Sequence, residues 1–287
     1  VWAGTGDIYA GGNRRRILAI TTTNCDIQFS AGSFSPKTRV GLPGGTNYAT
    51  GSHPVQAVTW FGAASFANWL SEMEGLTAVY DASTTAWDTN FANNGYHLPT
   101  EAQWERAAAW DGTKHWIYGF TSDTLTGKNR ANYLDSTPNN VNPLGLTATP
   151  YTSPAGWFNG VNVSPNGSIA TLNSVRPVGC YDMSGNIREW CHDRYLDTYY
   201  TMSPGTDPPG PASGNTRVIR GGNWGSAPSS CRSALRFQEF PDFLFNYNVG
   251  FRLARTVAYS LTYAAGAGGS VSGSSSQSVL PGGNGTA

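Results

Sequence analysis

The chain has 287 residues with 18 basic and 18 acidic side chains. Its zero formal charge carries no electrostatic footprint for nucleic acid or an anionic membrane surface. Charged residues make up only 13% while glycine alone contributes 35 positions, the balance of a loop-rich extracytoplasmic protein rather than a helical cytosolic one.

Residues 1–50 hold short β-like runs, Arg16–Ile20 and Cys25–Phe29, separated by the turn sequences Gly11-Gly12-Asn13 and Gly44-Gly45-Thr46. They predict a small hairpin layer. The first helix follows Val58, with Thr59 as N-cap, one face marked by Ala63, Phe66, Ala67, Leu70 and Met73, and Gly75 as its stop. Val79-Tyr80 reads as a short strand and Asn93-Asn94-Gly95 as a turn. Thr100-Glu101-Ala102-Gln103 is a capping box, so a second helix starts there with Trp104, Ala107 and Ala108 inward and ends by Gly112. From 113 to 219 turns dominate, and only Asn186–Trp190 and Val218-Ile219 read as strands. Ten Trp, 14 Tyr and 12 Phe supply the bulk for a core between loops of this length. The prediction is an α+β domain over 1–255: two main helices, short antiparallel strands and many long loops.

After Arg255 the composition changes. Thr256–Tyr263 alternates like a strand and is followed by Gly/Ser-rich sequence, so 256–287 reads as a β-rich appendage, a hairpin that stops mid-unit. No run of 18 apolar residues reads as a membrane helix. The chain begins without an initiator methionine or signal peptide, as a mature or trimmed product would.

Between Arg220-Gly221-Gly222 and Val249-Gly250-Phe251 lies a stretch of large apolar residues with neither helical nor strand period. An aromatic-rich irregular loop between two rigid rails has the character of a recognition surface. Withholding Phe237, Phe240, Phe243, Phe245 and Tyr247 from the core forgoes on the order of 10 kcal/mol, comparable with a domain's net stability. The alternative is that individual side chains fold back into the core. Cys25, Cys180, Cys191 and Cys231 lack C-x-x-C spacing and do not read as a zinc site. Cys191–Cys231 is the favoured disulfide, a loop closure worth roughly 4 kcal/mol. Cys25–Cys180 follows by elimination, and free buried thiols are the alternative.

Five ordered motifs then carry a resemblance. P-V-Q-A-V-T-W-F-G-A-A-S-F-A-N-W-L-S-E-M-E-G (54–75), Y-H-L-P-T-E-A-Q-W-E-R-A-A (96–108), Y-D-M-S-G-N-I-R-E-W-C-H-D (181–193), R-V-I-R-G-G-N-W (217–224) and N-V-G-F-R-L-A-R (248–255) resemble the formylglycine-generating enzyme, or sulfatase-modifying factor, domain, a version of the C-type lectin-like fold. The family's enzymes oxidise a substrate cysteine with copper held by a C-x4-C pair, and those positions fall here on Ser226 and Cys231. One thiol is missing, so the resemblance implies fold rather than copper chemistry. It also implies structural calcium, with the backbone oxygens of Gly185 and Ile187 and the carboxylates of Asp182 and Glu189 as one ligand set, and Asn132 and Tyr133 as the seed of another.

The pattern R-G-G-x-W-x-x-x-P-x-x-C-R-S-A-x-R-x-x-x-x-P-D-x-x-x-x-x-N-V-G-F-R is similar to the variable region of proteins diversified by retroelements. That likeness implies a ligand-binding surface made of Gly225, Ser226, Ala227, Ser229, Ser230, Leu235, Phe237, Gln238, Glu239, Phe240, Phe243, Leu244, Phe245, Asn246 and Tyr247. The expectation is a non-catalytic protein that meets a protein or glycan receptor, outside the cell, on a bacterial surface or phage virion. The appendage, similar to β-repeats of surface adhesins, would join it to a larger assembly. The alternatives are a copper-dependent cysteine oxidase and a structural surface or filament domain.

Overall fold

A computed structural model describes residues 8–10, 15–134, 142–243 and 248–257, Tyr259–Thr262 and Ser276–Val279, and a handful of positions between these last two strands. By contacts the chain divides into two units, 1–63 with 98–252 and 64–97 with 253–287.

In the first unit the N-terminal strands pair as antiparallel hairpins: β1 (Ile8–Ala10) with β2 (Arg15–Leu18), β3 (Ile27–Ser30) with β4 (Ser33–Pro36), and β5 (Thr38–Leu42) with β6 (Thr46–Ala49). The first helix, α1 (Trp60–Met73), begins here, and the Thr59 hydroxyl caps it by accepting the Gly62 N–H at 3.0 Å. Its buried positions are Trp60, Phe61, Gly62, Ala63, Ala64, Ala67 and Ser71. The inward face thus differs from the one predicted, with Phe66 and Met73 exposed, because the run of small residues allows close backbone approach: a Cβ on Gly62 would lie 2.0 Å from Ile17 O.

The second unit holds the rest of α1 and three two-stranded ribbons. They are β7 (Tyr80–Asp81) with β8 (Asp88–Thr89), β9 (Tyr96–His97) with β14 (Ala254–Arg255), and β15 (Tyr259–Thr262) with β16 (Ser276–Val279). The last is the hairpin expected in the tail.

The second helix, α2 (Glu101–Ala109), belongs to the first unit. Its capping box is complete: Thr100 Oγ1 accepts the Gln103 N–H and Gln103 Oε1 accepts the Thr100 N–H. The Glu101 N–H, free of any intrahelical acceptor, donates to Asp193 Oδ2 at 2.7 Å, which sets a buried carboxyl at the helix start.

This helix packs on a mixed four-stranded sheet in the order β12 (Phe237–Glu239), β11 (Arg217–Arg220), β10 (Arg188–Arg194), β13 (Val249–Phe251). β10 runs antiparallel to β11 (Glu189↔Arg220, Trp190↔Ile219) and parallel to β13 (Glu189↔Gly250, Trp190↔Phe251). β10 and β11 are buried along almost their whole length although they carry Glu, His, Asp and Arg. Glu189, Asp193 and Arg220 find partners inside the fold in Arg252, Glu101 and Glu105, which hides both strands from a reading of hydrophobic alternation. Two indoles lock the layer: Trp190 donates to Val58 O and Trp60 to Cys191 O, each at 3.0 Å.

All four cysteines are free thiols. Cys191 lies in the cluster of Trp104, Ala108, Met183 and Val218, with Cys180 at its margin. Cys231 lies in a different one, with Tyr118, Phe120, Leu125, Ala131 and Tyr133, and Cys25 packs on Ala19 and Ala57. Neither expected disulfide forms, because the two thiols of each expected pair pack in different clusters.

Candidate functional site

The surface singled out in the sequence begins where β11 ends. Gly221 and Gly222 both take positive φ (91° and 70°), and a Cβ on Gly222 would lie 2.7 Å from Cys231 Sγ, so only glycine fits the turn. A polar knot follows. Ser226 Oγ accepts the Asn223 N–H at 3.0 Å and donates to Asn223 Oδ1 at 2.9 Å, while the Ser226 carbonyl accepts the Leu134 N–H. Ser226 is 5% exposed, so it is a turn lock and not a ligand-facing residue. The short 3-10 turn Pro228–Cys231 then buries Cys231. Burial pushes its thiol up to about 12, against a lowering by Arg188, so it is protonated at neutral pH.

Beyond it the chain is pinned by Arg236, whose guanidinium forks onto the fully buried Glu101 at 2.7 and 2.8 Å and donates to the Leu196 and Asp197 carbonyls. Glu101 also faces Arg220, itself fully buried and paired to Glu105. Four charges tie α2, β11 and the loop base together.

What was read as irregular loop contains the edge strand β12. Val218 pairs with Gln238 and Ile219 with Phe237, so side chains alternate across it. Phe237 is half-buried with the Arg188 guanidinium 4.7 Å from its ring, and Gln238 faces outward, bonded to Thr216. Phe237 thus returns to the body of the fold. After the strand, Phe240 (53% exposed) and Phe243 (37%) stand at the surface in a turn closed by Phe243 N–H donating to Phe240 O. That turn is held from below by Trp60 N–H donating to Pro241 O. Gly225, Ala227 and Ser229 are exposed as well, while Ser230, Leu235 and Glu239 are half-buried. Leu244, Phe245, Asn246 and Tyr247 lie outside the described residues.

The groups expected to hold metals have other partners. Both Glu189 oxygens take the Arg252 guanidinium at 2.5 Å, and Oε2 also accepts the Trp104 indole N–H at 2.6 Å. A calcium ion there would set a second cation on a carboxylate already neutralised. Asp182 Oδ2 accepts the Gly156 N–H at 2.7 Å, and burial pushes its carboxyl up to about 6. A Cβ on Gly185 (φ 80°) would lie 2.3 Å from Asn132 O, which itself accepts the Asn186 N–H. Ile187 is a buried core residue. The Asn132 amide donates to Tyr151 O and the Tyr133 hydroxyl to Gly127 O. The side chains of Asp182, Glu189, Asn132 and Tyr133, read as calcium ligands in the sequence, are thus bonded to protein groups. Copper does not fit: Ser226 is spent on Asn223, and the remaining Cys231 thiol is buried and protonated.

Sequence reading missed the Glu101–Arg220–Glu105–Arg236 network. Its one signal was that Arg220 and Arg236 are fixed letters of the R-G-G…C-R-S-A-x-R pattern.

The profile of the sulfatase-modifying factor enzyme 1-like domain matches residues 19–257. The chain belongs to this family. The formylglycine-generating enzyme of Streptomyces coelicolor is 32% identical over 213 residues, 71% of this chain and 52% of that protein. The serine/threonine-protein kinase pkn1 of Chlamydia pneumoniae is 31% identical over 207 residues, 71% of this chain and 24% of the kinase. The matched region thus spans about a quarter to a half of these relatives' length. Among solved structures, Treponema denticola variable protein 1 superposes with a TM-score of 0.53 at 24% identity, covering 88% of this chain and 93% of that one. CarF follows the same fold at a TM-score of 0.51 and 24% identity, covering 83% and 77%. The fold is therefore α+β of the formylglycine-generating, C-type lectin-like type.

Proposed function

We propose that this chain is a recognition protein without catalytic activity. It binds a protein or glycan receptor through the outer side of 225–243, outside the cell, on a bacterial surface or a phage virion, with 256–287 serving a larger assembly. The observation that carries the reading is the exposure of Phe240 and Phe243 on a turn anchored from beneath through Pro241 and Arg236. Apolar rings shown to water on a fixed support are the groups that anchor interfaces. The shared fold with a Treponema variable protein supports it, as does a donor set at Ser226 and Cys231 that cannot supply two thiolates.

Sequencing sibling copies of the gene in the source genome tests this. Differences should concentrate at Gly225, Ala227, Ser229, Gln238, Phe240 and Phe243 while Ser226, Cys231 and Arg236 stay constant. Differences spread evenly along the chain would remove the basis for a diversified surface.

A second reading, cysteine oxidation, is favoured by the formylglycine-generating enzymes among the relatives. It requires a reactive Cys231. Titration of the native protein with a thiol reagent should leave Cys231 unmodified, and rapid modification there would revive the oxidase.

A further inference from the structure

A cleft lies between α2 and the turn Tyr199–Thr201, and none of residues 225–243 lines it. The cleft, of about 240 Å³, is lined by Ala102, Glu105, Arg106, Trp110, His115 and Tyr200. It is smaller than the roughly 300–1,000 Å³ of drug-sized sites, a size for one ring.

Its walls are preset by local structure. Ala102, Glu105 and Arg106 stand at i, i+3 and i+4 on one face of α2. Trp110 ends the helix, and the turn that follows is fixed by Asp111, whose Oδ1 accepts the Thr113 and Lys114 N–H groups and whose Oδ2 accepts the Trp116 indole. The turn brings His115 back to bridge Trp110, with the two rings 5.2 Å apart. On the opposite wall Tyr200 is held by the Arg236 guanidinium at 5.0 Å and by Tyr199. The Tyr200 phenol, with an ordinary pKa near about 10, is a hydroxyl donor at neutral pH. Ala102 leaves the floor open.

The charges decide the ligand. Glu105 is neutralised by Arg220, whereas Arg106 is exposed and makes no ion pair among the described residues. Aromatic walls, a hydroxyl donor and one free guanidinium suit a flat-faced ring that bears a carboxylate. We propose that this cleft binds an acidic sugar residue, a uronic-acid-type pyranose, with its ring against Trp110 or Tyr200 and its carboxylate on Arg106. The proposal does not rest on the function assigned to the 225–243 surface.

Ligand-observed saturation-transfer NMR on the full chain tests it, with sodium D-glucuronate as probe and D-glucose as the neutral control. Glucuronate should bind and glucose should bind at least about tenfold more weakly. Arg106→Gln should weaken glucuronate by about tenfold or more, and Ala102→Leu, which fills the floor, should abolish it. Phe240→Ser should leave it unchanged. His115→Ala, outside the helix, serves as a second probe of the aromatic wall should Ala102→Leu fail to fold, and it should also weaken binding. No glucuronate binding, equal binding of glucose, or retention of binding in both Arg106→Gln and the wall or floor variant would overturn the proposal. Loss of binding in Phe240→Ser alone would move the sugar to the other surface and overturn it too.

Discussion

Two halves of one segment, 223–236 and 237–243, follow opposite rules. In the first, polar side chains tie the segment to the fold: Ser226 is knotted to Asn223, Ser233 donates to the Trp116 and Ile117 carbonyls, and Arg236 forks onto Glu101. In the second, one apolar ring returns to the sheet (Phe237) while Phe240 and Phe243 remain exposed. The difference teaches that the exposed rings are not a failure of packing. The chain is held by β12 before the turn and by the Trp60–Pro241 bond beneath it, so the rings stand on a fixed support with little ordering cost at the moment of binding.

The largest effect should come from breaking the support. Glu101→Gln leaves the fully buried Arg220 with Glu105 alone and Arg236 without its fork, and should cost roughly 3–5 kcal/mol by chemical denaturation. A loss below about 1 kcal/mol would mean that the network does not hold the loop base.

The pH dependence tests the same layer. Burial, with Glu101 beside it, raises the Asp193 carboxyl to about 7, against a lowering by the Glu101 N–H and by Arg217. An unfolded aspartate titrates near about 3.9. Between those values the unfolded state holds fewer protons, so this stabilisation is full below about pH 4 and is lost as pH rises through about 7. Unfolding free energies from pH 4 to 8 should decline in the wild type and flatten in Asp193→Asn.

Ser226→Ala removes a hydroxyl that holds the Asn223 turn and should cost about 1 kcal/mol, whereas a ligand-facing serine would cost nothing. At the small end, a calcium chelator should leave the melting temperature unchanged, since Glu189 is neutralised by Arg252. A clear drop would restore the metal.

Much of this was legible in the sequence. The capping box at Thr100–Gln103 and the Thr59 cap are local patterns whose chemistry is complete within four residues, and both are present. The five ordered motifs led to the fold. What stayed hidden depends on partners distant in sequence. β10 and β11 bury Glu189, Asp193 and Arg220, which no alternation pattern anticipates, because their partners Arg252, Glu101 and Glu105 lie 63, 92 and 115 residues away. For the same reason Glu189 read as a free ligand and Cys231 as half of a disulfide. Ser226 read as displayed because a turn lock and an exposed serine look alike in one dimension. Phe237 and Phe240 are separated only by the point where β12 ends, and no composition marks that point.

The central claim is that Phe240 and Phe243 belong to the displayed surface and not to the core. The direct test is the denaturation midpoint of the double variant Phe240→Ser, Phe243→Ser beside that of Phe120→Ser, a ring that is 1% exposed. The double variant should unfold within about 0.5 kcal/mol of the wild type, and Phe120→Ser should lose about 3–5 kcal/mol. A loss of several kcal/mol in the double variant would place both rings in the core and contradict the account.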